Sequence, residues 1–302
     1  MNQIIIDELE KLSLHEKYHG NFFKHKAYEN AIKSLSTHPQ PITTLQEITH
    51  LKGIGKGIAD KINQILENKF QPPPPHEFLE DLSKIYGVGF KTAQNLIQQG
   101  ITDFEILKAK QFEVLNEKQR IGLKYYQDIN QRIPHQEMKL HEKLLQSIWI
   151  NHPFQIVGSY RRQEPTSGDI DILVPSSDPE ILSKLIFFLK KNKYFKEELA
   201  LGTKKFMGIV GLPHLPARRI DILCTTPEEY PYALLYFTGS DKYNRNLREY
   251  CAKRGLKLNE KKLINQETNE IIPNLTSEKE ILTFLNLPYL KSEERIDVLK
   301  PT

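Results

Sequence analysis

Cysteine is nearly missing from this chain: there are two in 302 residues, Cys224 and Cys251. That scarcity excludes a disulfide scaffold and a cysteine zinc site, and it fits a reducing compartment. No long apolar run occurs and the mean hydropathy is negative, so a transmembrane helix is not expected. The opening segment, Met1 to Glu8, carries early acids and lacks the charged and apolar regions of a secretory leader, so none is expected there. Residues 1–75 contain no arginine; nine lysines stand against eight acids, with five histidines, so this region is nearly neutral. A net charge of +4 and a pI near 8.7 permit nucleic-acid binding without requiring it. What is present is length and core-forming material: 302 residues with 39% hydrophobic content exceed one ordinary domain.

The richest stretch runs from Gly158 to Val174. It holds a Gly-Ser turn (Gly158, Ser159), two arginines (Arg161, Arg162), and then Asp169 and Asp171 in an apolar run. Side chains alternate along a strand, so the two aspartates share one face while Ile170 and Ile172 favour burial. Paired carboxylates repel unless a cation lies between them, and Mg²⁺ prefers oxygen ligands. An isolated Asp-x-Asp is more often just the solvated face of an edge strand. The upstream Gly-Ser turn and a third strand aspartate, Asp221 in Arg218–Leu223, tip the reading towards metal and phosphate chemistry. Three aspartates on two neighbouring strands suit two divalent ions bridging a triphosphate and an attacking hydroxyl.

A near-repeat supplies the substrate. Leu51-Lys52-Gly53-Ile54-Gly55-Lys56-Gly57-Ile58-Ala59 returns 34 residues later as Ile85-Tyr86-Gly87-Val88-Gly89-Phe90-Lys91-Thr92-Ala93. Both copies have the look of a helix-hairpin-helix. Glycines allow close backbone approach, and free N–H groups at the next helix start bind phosphate without reading bases. One Gly-x-Gly is usually only a tight turn; two with matched flanks point to DNA or RNA backbone binding. Between the copies, Pro72 to His76 reads as a stiff extended linker. Helical patterns (Ile4 to Leu14, Phe22 to Leu35, then most of the chain to Arg132) give way at Ile133-Pro134 to strands from Phe154 to Leu223, with one apolar helix near 181–190.

Together with Gln119–Tyr126, Lys205–Gly208 and Leu235–Asp241, these landmarks resemble the family X DNA polymerases over residues 15–285, in the form of its short members without an amino-terminal BRCT or carboxy-terminal phosphoesterase domain. The resemblance implies an α+β fold. Residues 1–71 would be a helical lyase-like domain with the first hairpin, 72–76 the linker, and 77–133 a helical DNA-binding subdomain with the second hairpin. Residues 134–225 would form a catalytic palm with a mixed sheet, and 226–302 a small α+β nucleotide-selection subdomain. It also implies two Mg²⁺ ions, replaceable by Mn²⁺, on Asp169, Asp171 and Asp221, with Asp221 nearest the primer 3′ hydroxyl. Triphosphate contacts would fall to Arg132, Ser159, Arg162 and Gly168. Tyr236, Phe237 and Gly239 would lie by the incoming sugar, with the backbone there excluding a ribose 2′-OH, and Asp241 and Asn244 by the base.

On the same resemblance, Arg219 and Arg248 would touch DNA, as would the hairpin positions Gly53, Gly55, Lys56, Gly87, Gly89 and Lys91. Na⁺ or K⁺ would sit on backbone carbonyls near Thr49, Leu51 and Ile54, and near Ser83, Ile85 and Val88. Lys61 would form a Schiff base with a 5′-deoxyribose phosphate, with Lys24, Tyr28 and Lys56 around it and Phe23 stacking on a template base. Read alone, Lys61 is more readily an ordinary phosphate contact. The chain departs from the family at Gly57, where a phosphate-binding lysine stands, at Thr49 and His50, which take other basic positions, and at Leu223, where an arginine pairs with a metal-site carboxylate. The linker and the 211–218 loop are short.

The expected activity is gap-filling, template-directed repair synthesis on gapped or nicked DNA from deoxynucleoside triphosphates, without proofreading. The chain would be a monomer with no membrane role, working beside a repair ligase. It would lie inside the cell, in the nucleus if the host is eukaryotic, or otherwise at a site of viral DNA repair or replication. The competing readings are a non-templated nucleotidyltransferase and a non-catalytic DNA-end scaffold.

Overall fold

A computed structural model of the chain describes residues 2–18, 20–72, 77–272 and 275–295. The fold divides into two compact units, residues 1–120 and 121–302. From Pro73 onwards the expected proline linker lies outside the described residues.

The first unit is helical. Its elements are α1 (Asn2–Tyr18), α2 (Phe22–Ser36), α3 (Lys56–Leu66), α4 (Glu77–Ser83), α5 (Phe90–Gln98) and α6 (Phe104–Val114). Helical spacing makes the core: Ile5, Leu9 and Leu12 of α1 meet Tyr28, Ala31 and Leu35 of α2 and Ile58, Ile62 and Ile65 of α3. Each such aliphatic side chain contributes about 1.5–3 kcal/mol by leaving water, which offsets the weak intrinsic preference of short helices.

The second unit is α+β. After α7 (Glu117–Lys124), which crosses the boundary, come α8 (Tyr126–Ile129), β1 (Ile133–Pro134), α9 (His135–Ile148), β2 (Gln155–Ile156), α10 (Gly158–Arg161), β3 (Thr166–Ser167) and β4 (Ile170–Pro175). They are followed by α11 (Ile181–Lys191), β5 (Phe195–Leu201), β6 (Lys205–Val210), β7 (Arg218–Thr225), α12 (Tyr230–Thr238), α13 (Asp241–Ala252), β8 (Leu256–Leu258), β9 (Leu263–Asn265) and α14 (Glu278–Phe284). The main sheet has the order β2-β4-β7-β6-β5. Only β4 and β7 run parallel, and their register sets Asp171 beside Asp221.

Alternation sorts the faces of this sheet. Ile170, Ile172 and Val174 of β4, with Ile220, Ile222 and Cys224 of β7, enter the core under α9 and α11, where Trp149, Leu185, Leu189 and Tyr194 meet them. The odd-numbered residues Asp171, Leu173, Asp221 and Leu223 take the other face, where Leu173 and Leu223 pack against Val157, Ala233 and Phe237. A separate small core joins α12, α13 and α14 to β9 through Leu235, Tyr243, Leu247, Leu263, Ile281 and Leu282. Both cysteines are buried.

Candidate active site and nucleic-acid interface

The two hairpins of the first unit have one geometry. Gly53 (φ +93°) and Gly87 (φ +80°) adopt left-handed turns that other residues resist. The amide of Ile54 donates to the Leu51 carbonyl at 3.1 Å, and that of Val88 to Ile85 at 2.9 Å. Gly55 and Gly89 then take the N-cap positions of α3 and α5 with ψ of 169° and 168°, and neither helix has a side-chain cap. Their first amides therefore have no capping oxygen, and a Cβ at either glycine would meet nothing within 4 Å. An unhindered helix start with free N–H groups is a phosphate seat. Gly53 is constrained on its other side, where a Cβ would approach the Asn30 and Ala31 backbone at 3.2–3.3 Å.

Thr49 is exposed, Leu51 half-buried and Ile54 buried at the first hairpin; Ser83 is half-buried, and Ile85 and Val88 are buried at the second. The carbonyls of Leu51 and Ile85 already accept one amide each. Lys56 and Lys91 are exposed in the first turns of α3 and α5. Lys61 is half-buried on α3 between the core residues Ile58 and Ile62, which pack in one cluster with Tyr28. Lys24 lies 3.5 Å from Glu16, and burial followed by the Glu16 charge pushes the Tyr28 hydroxyl above its ordinary range. Glu16, which also accepts from the Asn21 amide at 2.7 Å, was not foreseen; one acid in a run of helical charges carries no signal of its own. Phe23 is 95% exposed, an aromatic ring with no protein face to cover it.

The second unit gathers the carboxylates. The Gly-Ser pair expected as a turn opens a four-residue helix instead, α10, with Gly158 at φ +63°. A Cβ there would lie 3.0 Å from Asp171 Oδ2, so glycine is what lets this backbone reach the acid. Asp169, expected within the strand, precedes β4 by one residue, and its carboxylate is gripped by the Arg219 guanidinium. Burial, then the charges of Asp169 and Asp221, push the Asp171 carboxyl up to about 7. Burial also raises Asp221, against the pull of Arg219 and of Lys205, whose Nζ is 3.6 Å away. Among the described residues nothing donates a hydrogen bond to the buried Asp221 Oδ1, though Arg219 Nε lies 3.6 Å from it.

Among the described residues no three or more His, Cys, Asp or Glu side chains are gathered closely enough to hold a metal ion. Asp169 instead meets the positive charge of Arg219. The donor set nevertheless fits a divalent cation. It offers hard carboxylate oxygens, a buried acceptor without a hydrogen bond and acids that repel one another.

Around the carboxylates, Ser159 donates to Ser167 Oγ at 3.0 Å. Arg132 donates to Thr166 Oγ1 at 3.0 Å and to its carbonyl at 2.7 Å, and a Cβ at Gly168 would stand 3.3 Å from the Arg132 guanidinium. Arg162 binds the Thr238 carbonyl at 2.6 Å and also the Glu164 carboxylate. Gly239 (φ +72°) abuts it, since a Cβ there would be 2.9 Å from Arg162 Nη1. Tyr236 and Phe237 meet edge to face, with centroids 5.0 Å apart. Asn244 donates to the Tyr236 carbonyl at 2.6 Å, Arg248 lies over the Tyr236 ring, and Asp241 is exposed at the start of α13.

Other participants were missed. Arg161 donates to Glu278 at 2.9 and 2.7 Å, and Arg295 donates to Glu278 at 2.6 Å. Arg218 holds Glu137 through two bonds of 2.6 and 2.9 Å, and it reaches the Asp128 and Gln131 carbonyls just before Arg132. Arg161 and Glu278 are 117 residues apart and Arg218 and Glu137 are 81 apart, while Arg295 and Glu278 are 17 apart, and nothing in the sequence couples them.

An α10 turn against a carboxylate-bearing mixed sheet, followed by a small α+β element, defines the fold of a polymerase-type nucleotidyltransferase. Sequence profiles match in order along the chain: a helix-hairpin-helix domain at 1–69, the fingers domain of DNA polymerase lambda at 80–130, the DNA polymerase beta palm at 132–227 and the DNA polymerase beta thumb at 233–296. The chain belongs to the family X DNA polymerases. It is 30% identical to DNA polymerase lambda of Rattus norvegicus over 97% of its own length and 56% of that protein. It is 32% identical to DNA polymerase lambda of Arabidopsis thaliana over 89% and 57%. With the DNA nucleotidylexotransferase of Xenopus laevis it shares 26% identity over 97% and 68%. The chain thus spans a little over half the length of the first two relatives. No helix among the described residues is long and apolar enough to cross a membrane.

Proposed function

We propose that this chain is a template-directed DNA polymerase that fills short gaps during base excision repair. The observation that carries the reading is the carboxylate set at the start of β4 and on β7, with the Gly158 backbone against Asp171 and Arg132 against Gly168, in a chain that also has two uncapped hairpin helices. Asp169, Asp171 and Asp221 would hold two divalent ions, Mg²⁺ with Mn²⁺ as a substitute. Bound ions would polarise the α-phosphate and lower the pKa of the primer 3′ hydroxyl.

The chain's own side chains do the positioning. Arg132, Ser159, Arg162 and the Gly168 backbone orient the triphosphate, and Tyr236, Phe237 and Gly239 present backbone to the sugar and favour the deoxy form. Asp241 and Asn244 border the base, and Arg219 and Arg248 steer primer and template. Lys205 and Arg219 stand beside Asp221 and offset negative charge as the reacting oxygens approach. The hairpins at Gly53–Lys56 and Gly87–Lys91 hold DNA by its backbone, with Na⁺ or K⁺ on the carbonyls of Thr49, Leu51 and Ile54 and of Ser83, Ile85 and Val88. Residues 1–71 would act as the lyase-like domain, 77–133 as the DNA-binding subdomain, 134–225 as the palm and 226–302 as nucleotide selection.

In the first unit, Lys61 would attack C1′ of a 5′-deoxyribose phosphate and release it by β-elimination, with Lys24, Tyr28 and Lys56 around it and Phe23 on a template base. The half-buried position of Lys61 above the Tyr28 cluster supports this role. The chain would work as a monomer, with a repair ligase sealing its product. It would act inside the cell, in a nucleus or at a site of viral DNA synthesis.

Extension of a primer across a one-nucleotide gap, with each nucleotide offered singly, tests the polymerase. Incorporation that follows the template base supports it, and indifference to that base would favour the non-templated reading that the nucleotidylexotransferase relative suggests. Borohydride trapping on a 5′-deoxyribose phosphate end, lost in Lys61→Ala, tests the lyase; trapping that persists would move the role to another lysine.

A further inference from the structure

Two neighbouring arginines of the nucleotide site are held in different ways. Arg161 is locked by Glu278, which is buried and is also bound by Arg295. Arg162 is tied by a partner two residues away. Its Nε donates to Glu164 Oε1 at 2.9 Å, its Nη2 meets the same oxygen, and its Nη1 donates to the Thr238 carbonyl. Every nitrogen of the guanidinium is thereby engaged within the protein. The backbone is shaped for this return. Gln163 takes a positive φ of 60°, its amide donates to the Tyr160 carbonyl at 3.0 Å, and the Glu164 amide donates to Ser159 at 3.0 Å. The turn bends Glu164 back over the arginine, and the Glu164 side chain remains 42% exposed while that of Arg162 is 16% exposed.

A guanidinium whose fork already holds a carboxylate cannot give that edge to a phosphate until the carboxylate leaves. Glu164 is half open to solvent and can depart, unlike the buried Glu278. We propose that Glu164 is an internal competitor for the triphosphate: it occupies Arg162 in the nucleotide-free protein and is displaced by a polyanion. It is a positioning residue that acts through Arg162 and sets nucleotide affinity. The competition rejects weak monoanions, which one carboxylate outbids, more than triphosphate or pyrophosphate, which carry several charges. This inference rests on the reading of Arg162 as a triphosphate contact.

The test uses the full chain on a gapped primer–template, with inorganic pyrophosphate and a non-hydrolysable deoxynucleoside triphosphate as calorimetric probes. Glu164→Gln keeps the size and a hydrogen-bonding oxygen but loses the charge; Glu164→Ala removes both. Each variant is expected to bind both probes about three- to tenfold more tightly and to lower the nucleotide KM by a similar factor, with kcat within about twofold. A residue that merely braced the turn would weaken binding and lower kcat instead. Affinity unchanged or weakened in both variants, with thermal stability retained, overturns the proposal. Arg162→Gln separates the two levels. If it weakens probe binding while the Glu164 variants do nothing, only the competition falls. If it leaves binding by the wild-type protein unaltered, the triphosphate role of Arg162 falls and the competition with it.

Discussion

Replacing Glu278 by Gln removes one negative charge from between two arginines. In the native chain Glu278 is 5% exposed, Arg295 is fully buried and Arg161 is largely covered. Burial alone would raise the Glu278 carboxyl, but hydrogen bonds and charge from Arg161 and Arg295 hold it below its ordinary value of 4.5. Removing one partner of a buried ion pair costs about 3–5 kcal/mol, because the remaining charge stays desolvated and unpaired. Gln still accepts one hydrogen bond, so we expect the lower end, about 3 kcal/mol.

The single tryptophan, Trp149, sits in the core beneath the main sheet, so urea titration followed by its fluorescence reports the second unit alone. Circular dichroism on the same samples reports both units. The variant should move the tryptophan midpoint down by the shift that 3 kcal/mol divided by the slope m requires. It should also separate the two signals if the core of α12–α14 loosens first. The pH dependence has a definite sign. A depressed acid stabilises above its unfolded pKa, so wild-type stability should hold above about pH 5.5 and fall as pH drops through 4.5. Glu278→Gln should lack that part of the slope. A loss under 1 kcal/mol in both signals, or an identical acid slope, would refute the argument.

Asp171→Asn should abolish nucleotide addition by about three orders of magnitude or more. It should also raise the melting temperature in chelator, because it relieves a buried acid that burial, Asp169 and Asp221 already disfavour, and it should erase stabilisation by Mg²⁺; a lower melting temperature in chelator counts against it. Gly239→Ala places a methyl 2.9 Å from Arg162 Nη1 at φ +72°. A cost of about 1–3 kcal/mol and a nucleotide KM about tenfold higher are expected in steady-state kinetics. Gly55→Asp combined with Gly89→Asp should cap both helices, adding a few tenths of a kcal/mol, yet weaken DNA binding about tenfold in fluorescence anisotropy. Equal or tighter binding would show that those amides do not meet phosphate.

Much of this architecture was legible from short-range pattern. The alternation around Asp171 and Asp221 predicted two neighbouring strands, and the Gly-x-Gly repeat predicted two hairpins whose turns and caps agree closely. The expected helices at 4–14, 22–35 and 181–190 lie within α1, α2 and α11. What escaped was long-range. Glu278 meets Arg161 across 117 residues and Arg218 meets Glu137 across 81, and charged residues of that kind look like surface charge until the fold desolvates them. Asp169 was expected as a site residue, but its place and its Arg219 partner were not. The strand starts one residue after it, and alternation cannot fix a boundary to one residue.

The two buried cysteines have a practical consequence. Burial pushes both thiols up to about 11, so at neutral pH almost none of either is the thiolate that alkylating reagents attack. A cysteine introduced at an exposed position such as Lys110 or Glu267 would titrate near 8.5 and carry about 300-fold more thiolate. The natural chain therefore offers a silent background for attaching dyes or spin labels, one on each unit. Distances between the units could then be followed in solution, as gapped DNA and then nucleotide are added, without removing either native cysteine.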